Sequence, residues 1–189
     1  MNKSENLLKS QIFLENTNKN KDKVTKTEEV SFITDKYWFR QRAGALIVEN
    51  NHALFMTSDN LNFVYTVGGG VKIAETAADC VRREIMEELG VEYEIYRLAV
   101  VYENFFTGMA KDIKGLSCHQ IEFYFLMKSR GNQNLNSHSL NFYGFPEQVL
   151  WIPLDKLQNA NIKPEFLKTR FNEILESKNI VHIVKNYKV

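Results

Sequence analysis

The feature that most constrains this chain is a run of three glycines followed by a helical segment with three closely spaced glutamates. The residues are Gly68, Gly69 and Gly70, then Glu84, Glu87 and Glu88. The positions i, i+3 and i+4 place the three carboxylates on one face of a helix. Like charges within one turn repel each other, and a cation among them removes that repulsion. Hard divalent cations such as Mg²⁺ take oxygen ligands, and glycine lets backbone approach a metal or phosphate closely. The segment therefore indicates a metal and phosphate site.

The spacing around these residues is specific. Gly69 is followed by Glu75, the pair Arg83-Glu84, the pair Glu87-Glu88 and Gly90. This pattern over residues 69–91 resembles the Nudix box, the signature of the Nudix hydrolase family, at every defined position. A solvated helix face with salt bridges would explain the glutamates but neither the glycines nor the spacing. This chain differs from many family members at three positions that the box does not define. Val67 stands where they have Pro, Lys72 where they have Glu, and Ala74 where they have Gly.

The resemblance implies a role for each residue of the box. Glu84, Glu87 and Glu88 are expected to bind the metal together with the Gly69 carbonyl, and Glu84 or Glu87 to help activate water. Arg83 is expected to orient a carboxylate, which makes it part of the catalytic set with Glu84 and Glu87. The expected structural residues of the motif are Gly68, Gly70, Glu75 and Gly90.

The resemblance also implies a reaction and a cofactor. The reaction is Mg²⁺- or Mn²⁺-dependent hydrolysis of a pyrophosphate bond in a nucleoside diphosphate linked to another moiety. The candidate substrates are small nucleotides: ADP-ribose, a nucleotide sugar or a modified nucleoside triphosphate. One alternative is a non-catalytic, Nudix-like module that binds or senses a nucleotide. Another is an isopentenyl diphosphate isomerase, but neither Cys80 nor Cys118 has the sequence context which that enzyme needs.

Composition limits the other functions. Lys and Arg number 24 against 23 Asp and Glu, so the near-zero net charge does not favour general binding of nucleic acid. Apolar runs are too short to span a bilayer, and the N-terminal region lacks the apolar core of a signal peptide. We therefore expect no membrane partner and a cytoplasmic location. A homodimer is a possible assembly, since it is common among similar proteins.

Two regions are expected along the chain. Residues 1–29 are a polar arm with a possible short amphipathic helix over residues 5–15 and a linker, and residues 30–189 are the Nudix hydrolase domain. Apolar patterning predicts strands at residues 43–48, 53–56, 62–67, 92–106, 119–127, 149–152 and 180–184. Helices are predicted at residues 75–89, 154–158 and 165–177. The mixture predicts an α/β fold with a mixed sheet, and the resemblance implies a Nudix-type α/β/α sandwich.

Weaker candidates lie outside the box. Arg40 and Arg42 flank the first strand, where an arginine can bind phosphate, although a surface salt bridge is the alternative. Glu122 could complete the metal site or act as a base, or it could be a solvent-facing strand residue. Phe105 could stack on a nucleobase or belong to the core. The same two readings apply to Phe106, Tyr143, Phe145 and Trp151.

Overall fold

The computed structural model describes residues 28–109, 111–137, 139–141 and 144–185. Residues 1–27, which make up most of the predicted arm, lie outside the described residues, and so does Tyr143. The described strands are β1 (Ser31–Ile33), β2 (Tyr37–Leu46), β3 (Val48–Glu49), β4 (His52–Ser58), β5 (Gly68–Gly70), β6 (Ile95–Thr107), β7 (Ser117–Met127), β8 (Glu147–Pro153) and β9 (Val181–Lys185). The helices are α1 (Ala77–Leu89), α2 (Phe166–Thr169) and α3 (Phe171–Glu176), with 3₁₀ helices at Lys111–Ile113 and Leu154–Asn159.

The main sheet is mixed, as the sequence predicted. Its order is β1-β2-β7-β6-β9, and β5 also pairs with β2, next to the stretch that pairs with β1. β2 runs parallel to β7, whereas β6 and β7 are antiparallel neighbours. A second, antiparallel sheet is formed by β3, β4 and β8. The glycine strand β5 is thus held against the middle of β2, in the sheet that carries the core.

Two apolar cores lie on opposite faces of this sheet. One core joins the sheet to α1 through side chains such as Val81, Ile85 and Phe125. The other joins the sheet to α2 and α3 through side chains such as Tyr124 and Phe171. Helices therefore cover both faces, which confirms the predicted α/β/α sandwich. Among the described helices, none has the length and apolar character needed to cross a membrane.

Helix α1 begins and ends at capping residues. The Thr76 side chain accepts a hydrogen bond from the backbone nitrogen of Asp79 at 3.1 Å, which satisfies a free donor of the first turn. Gly90 ends the helix with a left-handed φ of 64°. The apolar face of α1 is fully buried through Val81, Ile85 and Leu89. These contacts fix the rotation of the helix, and therefore the direction in which its glutamates point.

Three predicted elements differ in the structure. The strand at residues 62–67 is wrong, because Val64 and Tyr65 form only isolated bridges, to Ile162 and Met56. The single helix at residues 165–177 is wrong as well, because the backbone leaves helical geometry at Arg170 (φ −117°, ψ 5°). The break lets α2 and α3 each bury their own apolar residues in one core. The short helix after β8 is a 3₁₀ helix, Leu154–Asn159.

Candidate active site

The glycine strand meets α1 so closely that side chains would not fit between them. Gly68 has a φ of 139°, and a Cβ atom there would overlap the backbone oxygen of Ala43. A Cβ atom on Gly69 would overlap the carboxylate of Glu84. The backbone nitrogen of Gly68 lies 3.4 Å from Oε2 of Glu88. The glycines therefore allow two of the predicted metal-binding carboxylates to approach the backbone of β5.

Arg83 organises the carboxylates at the start and middle of α1. It donates two hydrogen bonds to Glu75, from Nε to Oε1 at 2.7 Å and from Nη2 to Oε2 at 2.9 Å. Its Nη1 lies 2.5 Å from Glu84 Oε1 and 3.1 Å from Glu87 Oε2. The hydrogen bonds from Arg83 lower the pKa of Glu75 to about 2. One guanidinium thus fixes the positions of three box glutamates, and its Nη2 also lies 3.3 Å from the Gly70 oxygen.

Glu88 is the most perturbed carboxylate of the site. Burial raises its pKa to about 8, and the nearby charges of Glu147 and Glu84 act in the same direction. Arg42 and the Gly68 nitrogen oppose this rise but do not cancel it. A buried carboxyl group beside two further acids favours the uptake of either a proton or a metal cation.

Glu147 was not predicted from the sequence. It opens β8 and accepts a short hydrogen bond from the Tyr65 hydroxyl. Burial, together with this contact, raises the pKa of Tyr65. No motif surrounds Glu147 in the sequence, and it reaches the site only because β8 pairs along β4. The site therefore gains a fourth acid from an element far from the box.

A cavity of about 570 Å³ opens over these residues. Four of its lining side chains are acidic, namely Glu84, Glu87, Glu88 and Glu147, and two are arginines, Arg40 and Arg42. Further wall residues are Leu61, Phe63, Tyr65, Gly68, Ser139, Leu140 and Asn141. The rings of Phe63 and Tyr65 lie 6.1 Å apart and add an aromatic wall that the sequence analysis did not identify. The excess of acid on one side of the cavity suits a cation.

The two arginines have different environments. Arg42 is buried, and its Nη2 donates to the backbone oxygens of Thr66 at 2.9 Å and Gly68 at 3.0 Å. Arg40 is partly exposed and donates two hydrogen bonds to the exposed Glu29 carboxylate, at 2.8 Å and 3.1 Å. The structure therefore contains the surface salt bridge that was the alternative interpretation of Arg40. Arg42 instead supports the backbone of the glycine strand.

Glu122 and Phe105 do not line the cavity in the described part of the chain. The reading of Glu122 as a solvent-facing residue is wrong, because the residue is buried on the β7 face that carries Tyr124. Its Oε2 accepts a hydrogen bond from the Tyr124 hydroxyl at 2.6 Å and lies 3.4 Å from Nη1 of Arg42. Phe105 stacks on His119, with ring centroids 4.2 Å apart.

A divalent cation fits the donor set of this cavity. Glu84, Glu87 and Glu88 offer hard oxygen ligands beside the glycine backbone, and Glu88 lies buried among like charges that a cation would neutralise. Within the described residues, no three acidic, His or Cys side chains already form a compact metal-ligand group. Arg83 holds Glu84 and Glu87 by ion pairs instead. Metal binding therefore requires these side chains to turn toward Glu88.

The three-layer α/β/α fold and the acid-lined cavity beside a glycine strand agree with the class of hydrolase that the box indicates. The family model of the NUDIX domain matches residues 38–170. The chain belongs to the Nudix family, and it is a Nudix hydrolase. No curated protein sequence gives a significant match.

Solved structures share the fold. The mutator MutT protein from Bacillus halodurans is 16% identical, with a TM-score of 0.59 over 76% of this chain and 86% of that one. A UDP-X diphosphatase is 13% identical, with a TM-score of 0.55 over 90% and 74%. An ADP-ribose pyrophosphatase from Streptococcus suis is 13% identical, with a TM-score of 0.52 over 77% and 98%. At such low sequence identities, this structural similarity shows the fold alone.

Proposed function

We propose that this Nudix hydrolase cleaves a pyrophosphate bond in a nucleoside diphosphate linked to another moiety, with Mg²⁺ or Mn²⁺ as cofactor. The observation that carries the proposal is the position of Glu88, which is half-buried beside the glycine strand and lies near the charges of Glu84 and Glu147. A carboxylate cluster of this kind, only partly neutralised by arginines, is unfavourable for folding when no cation is bound. It becomes favourable when a divalent cation and the phosphates of a substrate share the cavity.

The residues proposed to hold the metal are Glu84, Glu87, Glu88 and the carbonyl of Gly69. A bound cation would neutralise charge on the phosphates and acidify a water molecule. Arg83 holds Glu84 and Glu87 through its Nη1, so the two carboxylates would exchange this ion pair for the cation when they turn toward Glu88. One of these two glutamates then accepts the proton of the attacking water. Glu147 supplies additional negative charge beside Glu88.

The rest of the cavity supports the proposed substrate class. Arg40 lies at the rim, where exchange of its exposed Glu29 partner for a phosphate costs little. Phe63 and Leu61 give the opposite wall an apolar surface against which a nucleobase can pack. The names of two structural neighbours, an ADP-ribose pyrophosphatase and a UDP-X diphosphatase, agree with a substrate of this kind. We place nucleotide sugars and ADP-ribose first among the candidates.

The test is product release from ADP-ribose, UDP-glucose and an oxidised nucleoside triphosphate, with Mg²⁺, with Mn²⁺ and with a chelator. We expect metal-dependent release of a nucleoside monophosphate from one class. Glu88→Gln should remove this activity, because the amide cannot carry the negative charge that the cation requires. Glu176→Gln, an exposed change at the end of α3, is the matched control and should leave the rate unchanged. Full activity in Glu88→Gln, or turnover in the chelator, would contradict the proposal.

A further inference from the structure

A second cavity, of about 980 Å³, lies on the other flank of α1. α1 contributes Arg82 and Met86 to its wall, whereas Glu84 and Glu88 line the catalytic cavity. A helix turns about 100° per residue, so these two pairs project to opposite sides of α1. The remaining walls come from residues 92–95, before and at the start of β6, and from residues 128–132, after β7. The proposed hydrolysis does not use this cavity.

The two cavities have opposite charge. The second one is lined by four cationic side chains, Arg82, Arg83, Lys128 and Arg130, and by two acidic ones, Glu92 and Glu94. The catalytic cavity has four acidic side chains and two arginines. Lys128 is paired with Glu94 at 2.6 Å and Arg82 with Asp79 at 3.0 Å, but both pairs are exposed and easily exchanged. The balance of charge in the second cavity favours an anionic ligand.

Tyr93 and Arg130 provide unused hydrogen-bonding capacity in this cavity. Tyr93 is only 5% exposed, and within the described residues its hydroxyl oxygen makes no hydrogen bond of good geometry, although the Arg130 guanidinium and the Glu49 carboxylate lie close to it. Such a group is unfavourable unless a ligand or water satisfies it. The guanidinium of Arg130 lies 5.0 Å from the centre of the Tyr93 ring and donates a hydrogen bond to the Asn134 oxygen at 3.2 Å, which leaves further donors of the guanidinium for a ligand.

The loop that carries Arg130 is held in place by a buried carboxylate. Glu49 is 1% exposed and accepts hydrogen bonds from the backbone nitrogens of Arg130 at 2.6 Å and Gly131 at 2.9 Å. It also accepts one from the Ser129 hydroxyl at 2.6 Å. These bonds fix the loop relative to β3, so the cationic wall of the cavity exists before any ligand binds.

We propose that this second cavity binds a small organic phosphate. The phosphate is held by Arg130, the Tyr93 hydroxyl and Arg82, and the apolar part of the ligand packs on Met86, which is 43% exposed. Arg83 lines this cavity and also binds Glu84 and Glu87. An anion bound here therefore interacts with the same guanidinium that holds two glutamates of the catalytic cavity. This shared residue couples the two sites.

Nuclear magnetic resonance of the full, metal-free chain tests the proposal, with AMP and inorganic phosphate as separate probes. AMP should shift the backbone amide signals of Tyr93, Arg130 and Gly131, and phosphate should bind more weakly at the same amides. Arg130→Ala should abolish these shifts and leave basal hydrolysis unchanged. Because the readout is binding, a failure here and a failure of the hydrolase proposal can be told apart.

Tyr93→Phe separates a ligand contact from a structural role. Removal of the hydroxyl should weaken AMP binding by about 3- to 10-fold, the effect of one hydrogen bond, without lowering the melting temperature. Tyr96→Phe, at a residue 64% exposed and outside the cavity, is the matched control and should bind AMP normally. Shifts confined to Gly68–Gly70, no shifts with either probe, or normal AMP binding by Tyr93→Phe would overturn the proposal. Equal affinity for phosphate and AMP would overturn the proposal that the organic part of the ligand packs in this cavity.

Discussion

The backbone nitrogen of Gly68 lies 3.4 Å from Oε2 of Glu88, and this contact joins the glycine strand to the glutamate helix. This contact opposes the effect of burial, which raises the pKa of the Glu88 carboxyl group to about 8. The strand and the helix therefore meet at a group that is unfavourable when ionised without a cation. That relationship links the fold of the chain to its proposed chemistry, since the same cavity opens toward Arg40 and Phe63.

The pH dependence of stability should report this group directly. Glu88 has a pKa of about 8 in the folded chain against 4.5 in the unfolded chain. Between these values the folded state holds a proton that the unfolded state has lost, so the free energy of unfolding of the metal-free chain falls as pH rises. Glu88→Gln should escape this loss and exceed the parent protein by on the order of 3 kcal/mol at alkaline pH.

Urea unfolding of both proteins in chelator measures the effect. At about pH 4 the two proteins should differ little, because Glu88 is then neutral in the folded state and in most of the unfolded ensemble. At about pH 9 the variant should be the more stable one. Parallel pH profiles for the two proteins would show that Glu88 does not titrate in this way.

Arg42 and Arg40 should differ in their contribution to stability. Arg42→Ala should lower the free energy of unfolding by about 3 to 5 kcal/mol, because it leaves the buried Glu122 carboxylate without its cation and the backbone oxygens of Thr66 and Gly68 without this donor. Arg40→Ala breaks an exposed ion pair and should lower it by less than about 1 kcal/mol. Denaturant unfolding of the two variants provides the comparison, and equal losses would contradict the assignment of Arg42 to the support of the strand.

Ala74 is a site where a single substitution should stabilise the chain. Its φ of 64° is left-handed, a conformation that favours glycine, and the residue is exposed with no core contact to lose. Ala74→Gly should therefore raise the free energy of unfolding by about 0.5 to 1 kcal/mol. The same replacement at Ala78, inside α1, should lower it by about 1 kcal/mol. Thermal unfolding distinguishes the opposite signs, and destabilisation by Ala74→Gly would contradict the reading.

Helix α1 and the positions of its glutamates could be predicted from the sequence, because they depend on residues that are close together in the chain. The apolar spacing of Val81, Ile85 and Leu89 defines the buried face of α1, and Gly90 marks its end. The sandwich and the mixed sheet were predicted for similar reasons, through strands with clear patterning and through the resemblance. The break between α2 and α3 at Arg170 could not be predicted, because the apolar residues on both sides of it continue one helical pattern.

The residues that the sequence analysis missed depend on long-range pairing. Glu147 approaches Glu88 only because β8 lies along β4 in one register, in which Glu147 pairs with Ser58. The alternation of β7 placed Glu122 and Tyr124 on one face, but alternation alone does not show which face other elements cover. α2 covers that face, since Phe166 packs edge-on against Tyr124 at 5.5 Å, and Glu122 is therefore buried.

The most direct test of the central claim is a calorimetric titration of the metal-free chain with Mg²⁺ at neutral pH, in two buffers that differ in ionisation enthalpy. If the cation binds beside Glu88, its binding must displace the proton which that carboxyl group holds, so the apparent enthalpy should change with the buffer. Glu88→Gln should bind Mg²⁺ weakly and release no proton. Tight binding of Mg²⁺ with no proton release, or with the same release in Glu88→Gln, would contradict the assignment of this cavity as the metal site.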